Sequence, residues 1–183
     1  MQRDIPLAPV STRSRAFLAV LAAGGAAFFV WVYLNSTAGL APDKAREQIP
    51  GLLLVLALMG VAFGVIWWAL GRTVVTLTDS GLQVRAGFYG RTLRRSQLQL
   101  AHAVEVSLFD RGDLAPRWRT NGIGLPGFRA GWFRLRNRDK ALVLLTDPYR
   151  VTYLPTTEGY VLLLSTSALL PALRGSAENA PPA

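Results

Sequence analysis

Arginines interleaved with tryptophans are the most chemically suggestive pattern in this 183-residue chain. Arg91, Arg94 and Arg95 form one cluster, and Arg117, Trp118, Arg119, Arg129, Trp132, Arg134 and Arg136 form a second. A guanidinium is permanently charged, and its fork of donors matches phosphate and carboxylate oxygens. Tryptophan carries an apolar body and a polar edge, which suits an interface. These ten residues are therefore the candidate surface for a protein partner or for anionic lipid headgroups. Overall charge agrees, with 20 Lys+Arg against 11 Asp+Glu and a formal net charge of +9. From Arg72 to the C-terminus, fifteen basic residues (fourteen Arg and Lys140) stand against eight acidic ones, giving +7. A pI near 11 also suits nucleic acid, but attachment to a membrane explains the same charge, so no nucleic-acid partner is expected.

Catalysis needs groups that this sequence does not assemble. The absence of cysteine excludes disulfides, thiolate metal sites and Cys nucleophiles. The one histidine, His102, falls by parity on the apolar side of its stretch and is expected to be packed there. Asp110 and Asp113 flank Arg111-Gly112 and read as solvated charges of a turn. Neither a G-x-S-x-G elbow nor a metal-ligand spacing occurs. The glycine-rich stretch from Gly122 to Gly131 lacks Gly-Lys-Ser/Thr and precedes a strand pattern, so it is expected to be a long inter-strand loop rather than a phosphate cradle. No enzyme activity, cofactor or metal is expected.

The elements that must position these residues read mostly as strands. Thr73–Thr78 is rich in Val and Thr, and Leu82, Val84, Ala86 and Phe88 alternate with Gln83, Arg85 and Gly87, with Asp79-Ser80-Gly81 as the turn between them. Tyr89-Gly90 marks another turn. Leu98, Leu100, Val104, Val106 and Leu108 share one parity, as expected of a strand or a pair of strands. Residues 130–137, 141–146, 150–154 and 160–165 complete about seven antiparallel strands, with Phe133 and Leu135 expected in the core. A short helix over 167–174, capped by Ser167 and stopped by Gly175, follows, with 175–183 as a polar, disordered tail. Seven strands and a helix fit a barrel with the helix plugging one open end, occupying residues 72–174.

Ahead of this region lie two uncharged apolar stretches. Ala16–Leu34 has 19 residues, about 28 Å as a helix, and Ile49–Leu70 has 22, about 33 Å, so each matches a bilayer core. The first is longer than the apolar core of a cleaved signal peptide. A transmembrane hairpin over 16–70 is expected, with an N-terminal tail over 1–15 and a short connecting loop over 35–48. Arg3, Arg13 and Arg15 before the hairpin, and Arg72, Arg85, Arg91, Arg94 and Arg95 after it, place both termini in the cytoplasm of a cell that carries the chain in its plasma or inner membrane. Trp31 and Tyr33 fall at the outer end of the first span, and Trp67 and Trp68 at the inner end of the second. Gly60 and Gly64 form a GxxxG pair, and Gly24 and Gly25 lie in a run of small residues, so both helices permit close packing.

Arg119, Asn121, Gly122, Gly124, Pro126, Gly127, Gly131, Trp132 and Phe133 stand in the order R-x-N-G-x-G-x-P-G-x-x-x-G-W-F, and Lys140-Ala-Leu-Val and Thr146-Asp147 follow. This stretch resembles the bacterial pleckstrin-homology (PH) domain families, in particular the membrane-anchored group with an N-terminal two-helix hairpin. The resemblance implies a PH-like barrel at a membrane and no particular activity. Eukaryotic phosphoinositide-binding members carry basic residues at the first hairpin turn. Here that turn is Thr78-Asp79-Ser80-Gly81, which has none. The expected function is an interaction module on the cytoplasmic face, binding a protein partner, a second copy or anionic lipid. The alternative is an accessory subunit of a membrane transport or secretion complex, associating through the small-residue helices.

Overall fold

A computed structural model describes residues 3–5, 7, 9–78, 80–86 and 89–178 of this chain. Asp79 of the first expected turn, Gly87 and Phe88 of the strand after it, and residues 179–183 of the expected tail lie outside these described residues. The chain divides into two compact units: Thr12–Trp68, and a second that joins the N-terminal segment through Ser11 to everything from Ala69 onward.

The first unit is helical. Helix α1 spans Thr12–Thr37, α2 spans Pro42–Glu47 and α3 spans Ile49–Gly71. Both α1 and α3 are long and apolar enough to cross a membrane. Helix α1 outruns its apolar stretch because polar side chains at its end bond back to the preceding turn: Asn35 Nδ2 donates to the Trp31 carbonyl at 2.9 Å, and Thr37 Oγ1 to that of Tyr33 at 2.8 Å. The Tyr33 hydroxyl donates to the Ala45 carbonyl at 3.1 Å, tying α2 to α1. Along α3 the apolar side chains stay uncovered by protein, with Leu58 61% and Val61 65% exposed. An apolar surface this continuous needs a non-aqueous neighbour.

The second unit holds two sheets. Strands β1 (Arg3–Ile5), β2 (Thr73–Thr78), β3 (Gly81–Ala86) and β4 (Tyr89–Arg94) form an antiparallel sheet in sequence order. Strands β5 (Val104–Val106), β6 (Pro116–Leu125), β7 (Phe128–Leu135), β8 (Lys140–Leu145), β9 (Val151–Pro155) and β10 (Val161–Leu164) form a six-stranded sheet in the order β5-β9-β10-β8-β7-β6. Helix α4 (Leu169–Glu178) follows. Both sheets are open, so the expected barrel is corrected to two separate sheets, with nine strands, β2 to β10, among the described residues of 72–174 where about seven were expected. The expectation of a wholly antiparallel region is corrected as well, because β8 and β10 run parallel.

That parallel pair has a physical cause in the sequence. Strands β8 and β10 read ALVLL and VLLL, continuous apolar runs without alternation, and both of their faces are buried. On one face Ala141, Val143, Leu145, Val161 and Leu163 join Phe133, Leu135 and Val151 in a core cluster, as expected for Phe133 and Leu135. On the other, Leu142, Leu144, Leu162 and Leu164 are fully buried. Each such leucine contributes about 1.5–3 kcal/mol over an exposed one.

Other differences follow from edges and turns. Tyr89 and Gly90, expected as a turn, open β4. The same-parity residues from Leu98 to Leu108 form one 3-10 turn, Leu100–His102, and the three-residue β5, and His102, expected to be packed, is exposed on that turn. The expected glycine-rich loop is the β6–β7 hairpin, turning on Pro126 and Gly127, whose φ of 75° suits glycine. Arg136 and Arg138 leave the strand, since β7 ends at Leu135 and Arg138 takes a φ of 73° in the turn. Helix α4 starts at Leu169, with Pro171 in its first turn, and runs through Gly175, its expected stop.

Gly131, with Gly122 opposite it, is a tight point of the β6–β7 pair. Its φ is 113°, and a Cβ there lies 2.6 Å from both the Asn121 carbonyl oxygen and Gly122 Cα, with the Tyr89 ring at 3.1 Å. Gly124, on the same hairpin, has nothing within 4 Å. Gly131→Ala is expected to cost at least about 1–3 kcal/mol of stability, and Gly124→Ala to cost little. Thermal unfolding of the full chain in detergent checks this, and equal midpoints for the two variants contradict it.

Candidate functional site

Trp132 is the centre of the strongest candidate. It sits on β7 beside Gly131, with alternate neighbours Phe133 and Leu135 turned into the core, so its ring emerges on the opposite face of the sheet. Register sets what surrounds it. Arg134, two residues on, shares that face and pairs across the sheet with Lys140, the first residue of β8. Tyr160 directly precedes β10, whose Val161 pairs with Ala141, and so falls beside Lys140. From the other sheet, Arg91 of β4 pairs with Val84 and shares the inner face with Leu82 and Leu93.

The result is an open cleft of about 810 Å³ where sheet β1–β4 and sheet β5–β10 fail to close on each other. Lys140 Nζ lies 4.7 Å from the centroid of the Trp132 ring, and the Arg91 guanidinium carbon lies 5.6 Å from it. Tyr160 meets the same ring edge-on at 5.0 Å. Thr120 Oγ1 donates to the Trp132 carbonyl at 3.0 Å and holds the backbone from the β6 side. The Tyr89 hydroxyl donates to Asn121 Oδ1 at 2.9 Å, tying β4 to β6 across the open seam over the bare Cα of Gly131. The one carboxylate in the lining, Glu158, accepts from Gln97 Nε2 at 2.6 Å.

Electrostatically this is a site of uncompensated positive charge. Three cations against one carboxylate leave +2 in the lining. Arg134 and Lys140 face each other directly, a like-charge pair that disfavours the empty sheet by a fraction of about 1 kcal/mol. The two cation–π contacts offset this by about 0.5–1 kcal/mol each. Burial raises the Tyr160 phenol above its ordinary value; Arg91 opposes that shift and Glu158 adds to it. Tyr160 is therefore a protonated donor at neutral pH. Such an arrangement can hold an anion by charge-assisted hydrogen bonds against an aromatic wall.

Of the ten residues singled out as a contact surface, the cleft gathers Arg91, Trp132 and Arg134, and Asn121 joins them from the glycine-rich stretch. The others lie elsewhere. Arg95 donates through Nη2 to the Leu173 carbonyl of α4 at 2.8 Å, a structural contact. Arg94 is exposed at the end of β4. Arg117 stacks on Trp118 at 5.5 Å along the outer strand β6, where Trp118 is 64% exposed and Arg119 is exposed too. Arg129 donates to the Pro116 carbonyl at 3.3 Å and borders a smaller apolar cavity of about 280 Å³. Arg136 is exposed in the turn after β7. In the helices, Gly25 meets the Met59 side chain, whereas Gly24, Gly60 and Gly64 have nothing within 4 Å.

Lys140, Tyr160, Gln97 and Glu158 were not among the candidates. Their signal lay in the two apolar runs that start immediately after Lys140 and Tyr160. Runs of that kind mark neighbouring central strands and so bring their first residues together.

Tyr153 is the second phenol raised above its ordinary value, mainly by burial and then by Asp139, to which its hydroxyl donates at 3.4 Å. In the folded chain Tyr153 and Tyr160 hold their protons more tightly than in the unfolded chain. Their contribution to stability is therefore complete below about pH 10 and declines as pH rises beyond it, because the unfolded chain ionises first. Ultraviolet titration of phenolate is expected to lose a late-ionising component in Tyr153→Phe and another in Tyr160→Phe. A high-pH limb unchanged in either variant contradicts this.

No protein-family model, curated protein or solved structure matches this chain.

Proposed function

We propose that this chain is a membrane-anchored interaction module in which α1 and α3 span the cell membrane as a hairpin, both ends on the cytoplasmic side, and the sheet-bearing unit binds anionic lipid headgroups in the Trp132 cleft. The cleft carries the reading: Arg91 and Lys140 converge on one tryptophan, Arg134 lines the same cleft, and the single carboxylate nearby is already engaged by Gln97. Connectivity supports the membrane setting. Only Arg72 separates α3 from β2, so the cationic unit stays beside whatever α3 spans. Close to an anionic leaflet each basic residue contributes about 1 kcal/mol. The pairing of β1 with β2 supports a shared side for both ends of the hairpin, since the chain leaves this sheet at Ile5 and rejoins it at Thr73. Successive antiparallel strands, a second sheet and a terminal helix support the PH-like reading; the open seam and the parallel β8–β10 pair are where the unit departs from it.

A second reading is an accessory subunit of a membrane transport or secretion complex. It is favoured by Gly60 and Gly64, which keep one face of α3 open to a neighbouring helix.

Purification of the full chain from membranes in mild detergent, with mass spectrometry of what stays bound, tests both. Enrichment of anionic lipid, reduced several-fold by combined Arg91→Ala and Lys140→Ala, is the expected result. Bound lipid with no anionic enrichment overturns the headgroup reading. A stoichiometric protein partner lost in Gly60→Leu/Gly64→Leu selects the second reading. Reporters fused within 35–48 are expected to report outside and reporters at either terminus inside. A C-terminal reporter active outside the cytoplasm overturns the orientation.

A further inference from the structure

We infer that the Trp132 cleft takes a phosphate monoester, as its dianion, in preference to a phosphodiester. This rests on reading the cleft as an anion site and names the anion. The first reason is charge. The lining carries three cations and one carboxylate, a surplus of +2, which a monoester dianion neutralises and a singly charged diester does not. The second is the number and direction of the donors. Arg91 enters from β4 and Lys140 from β8, both against the Trp132 ring, and Arg134 of β7 lines the same cleft while its Nη1 donates to the Arg138 carbonyl at 2.9 Å, so the positive groups come from three strands instead of lying in a row. A monoester presents three terminal oxygens to such a set, and a diester two. The third is the wall. Trp132 and Tyr160, edge-on at 5.0 Å, give the exposed cations an aromatic surface on one side. Arg134 and Lys140 also stand opposite each other with no acid between them, an arrangement that an anion bridging both relieves.

The proposed membrane hairpin in the same chain makes a lipid bearing a terminal phosphate the source argued for; soluble phosphate is the other source of the same chemistry. Groups facing the ligand are Arg91 from β4, Arg134 from β7, Lys140 from β8, and Glu158 and Tyr160 from the β9–β10 connection. Arginine and lysine keep their charge across neutral pH, whereas a phosphate monoester gains its second charge near pH 6. Binding of a monoester should therefore tighten as pH rises through that value. A diester has no titration there and meets the same protein groups, so it isolates the ligand's own change of charge.

The test titrates the full chain in neutral detergent micelles, by calorimetry, with short-chain phosphatidate, short-chain phosphatidylglycerol and inorganic phosphate. Phosphatidate is expected to bind at least about tenfold tighter than phosphatidylglycerol near neutral pH, and the gap is expected to shrink several-fold at about pH 5. Lys140→Gln and Arg134→Gln, both exposed side chains, are expected to remove most of the preference. Inorganic phosphate binding much more weakly than phosphatidate supports the lipid source. Equal binding of the two supports monoester chemistry and assigns a soluble source instead. Equal affinity for phosphatidate and phosphatidylglycerol overturns the inference while leaving an anionic-lipid site in place. Failure of the wild-type chain to bind either lipid overturns the site as a whole. The pH comparison uses wild-type protein only, so it decides the matter even if a variant fails to fold.

Discussion

Two strands that are apolar on both faces govern the sheet-bearing unit. Strands β8 and β10 cannot stand at an edge or lie against water on either side, so they take the middle of the six-stranded sheet and need cover above and below. On one face their side chains form a cluster with Phe133, Leu135 and Val151 of the flanking strands. The other face, with Leu142, Leu144, Leu162 and Leu164, is sealed equally well. Their parallel alignment also fixes the starts of both strands side by side. Lys140 and Tyr160 stand at those starts, where burial gives way to the open seam.

The cleft is thus a boundary effect of the core. Along β7, Trp132 is half-buried and Arg134 is exposed, so the face changes from apolar to cationic within a single step of the pleat. The same step occurs on β8 between Leu142 and Lys140. Tyr89 then limits how far the seam can open, reaching Asn121 across a gap that only glycine at position 131 leaves clear. Residues 121, 122 and 131 therefore support the site through the backbone, while Arg91, Arg134 and Lys140 supply its charge.

How legible each part was in the sequence follows from how each residue is buried. Strand β2 was read over Thr73–Thr78, as found, and β8 to within a residue at each end, because burial imposes a hydrophobic run with sharp ends. Strand β6 was missed: it is an outer strand with most side chains exposed, so no buried face writes a period into Pro116–Leu125. Strand β1 was missed because three residues carry no period at all. The parity of Leu98 to Leu108 misled, since the same spacing serves a 3-10 turn over Leu100–His102 that lies between the buried Leu98 and Ala103 and leaves His102 outside. In the site, Arg91, Trp132 and Arg134 could be named from residue type alone. Their meeting with Lys140 and Tyr160 depended on a parallel register that local sequence does not express.

The short N-terminal strand also bears on biosynthesis. Ile5 pairs with Val75, and Asp4 accepts a hydrogen bond from Thr76 Oγ1 at 2.8 Å, so β1 finds its partner only after the long intervening stretch has been made. Both apolar helices are synthesised in that interval. The pairing therefore requires β1 to stay on the side of both helices where β2 emerges. Were the helices to cross a bilayer as proposed, a first helix inserted in the wrong sense would part β1 from β2 and leave the β2 edge unpaired, a lesion that quality-control machinery sensing exposed strand edges can recognise.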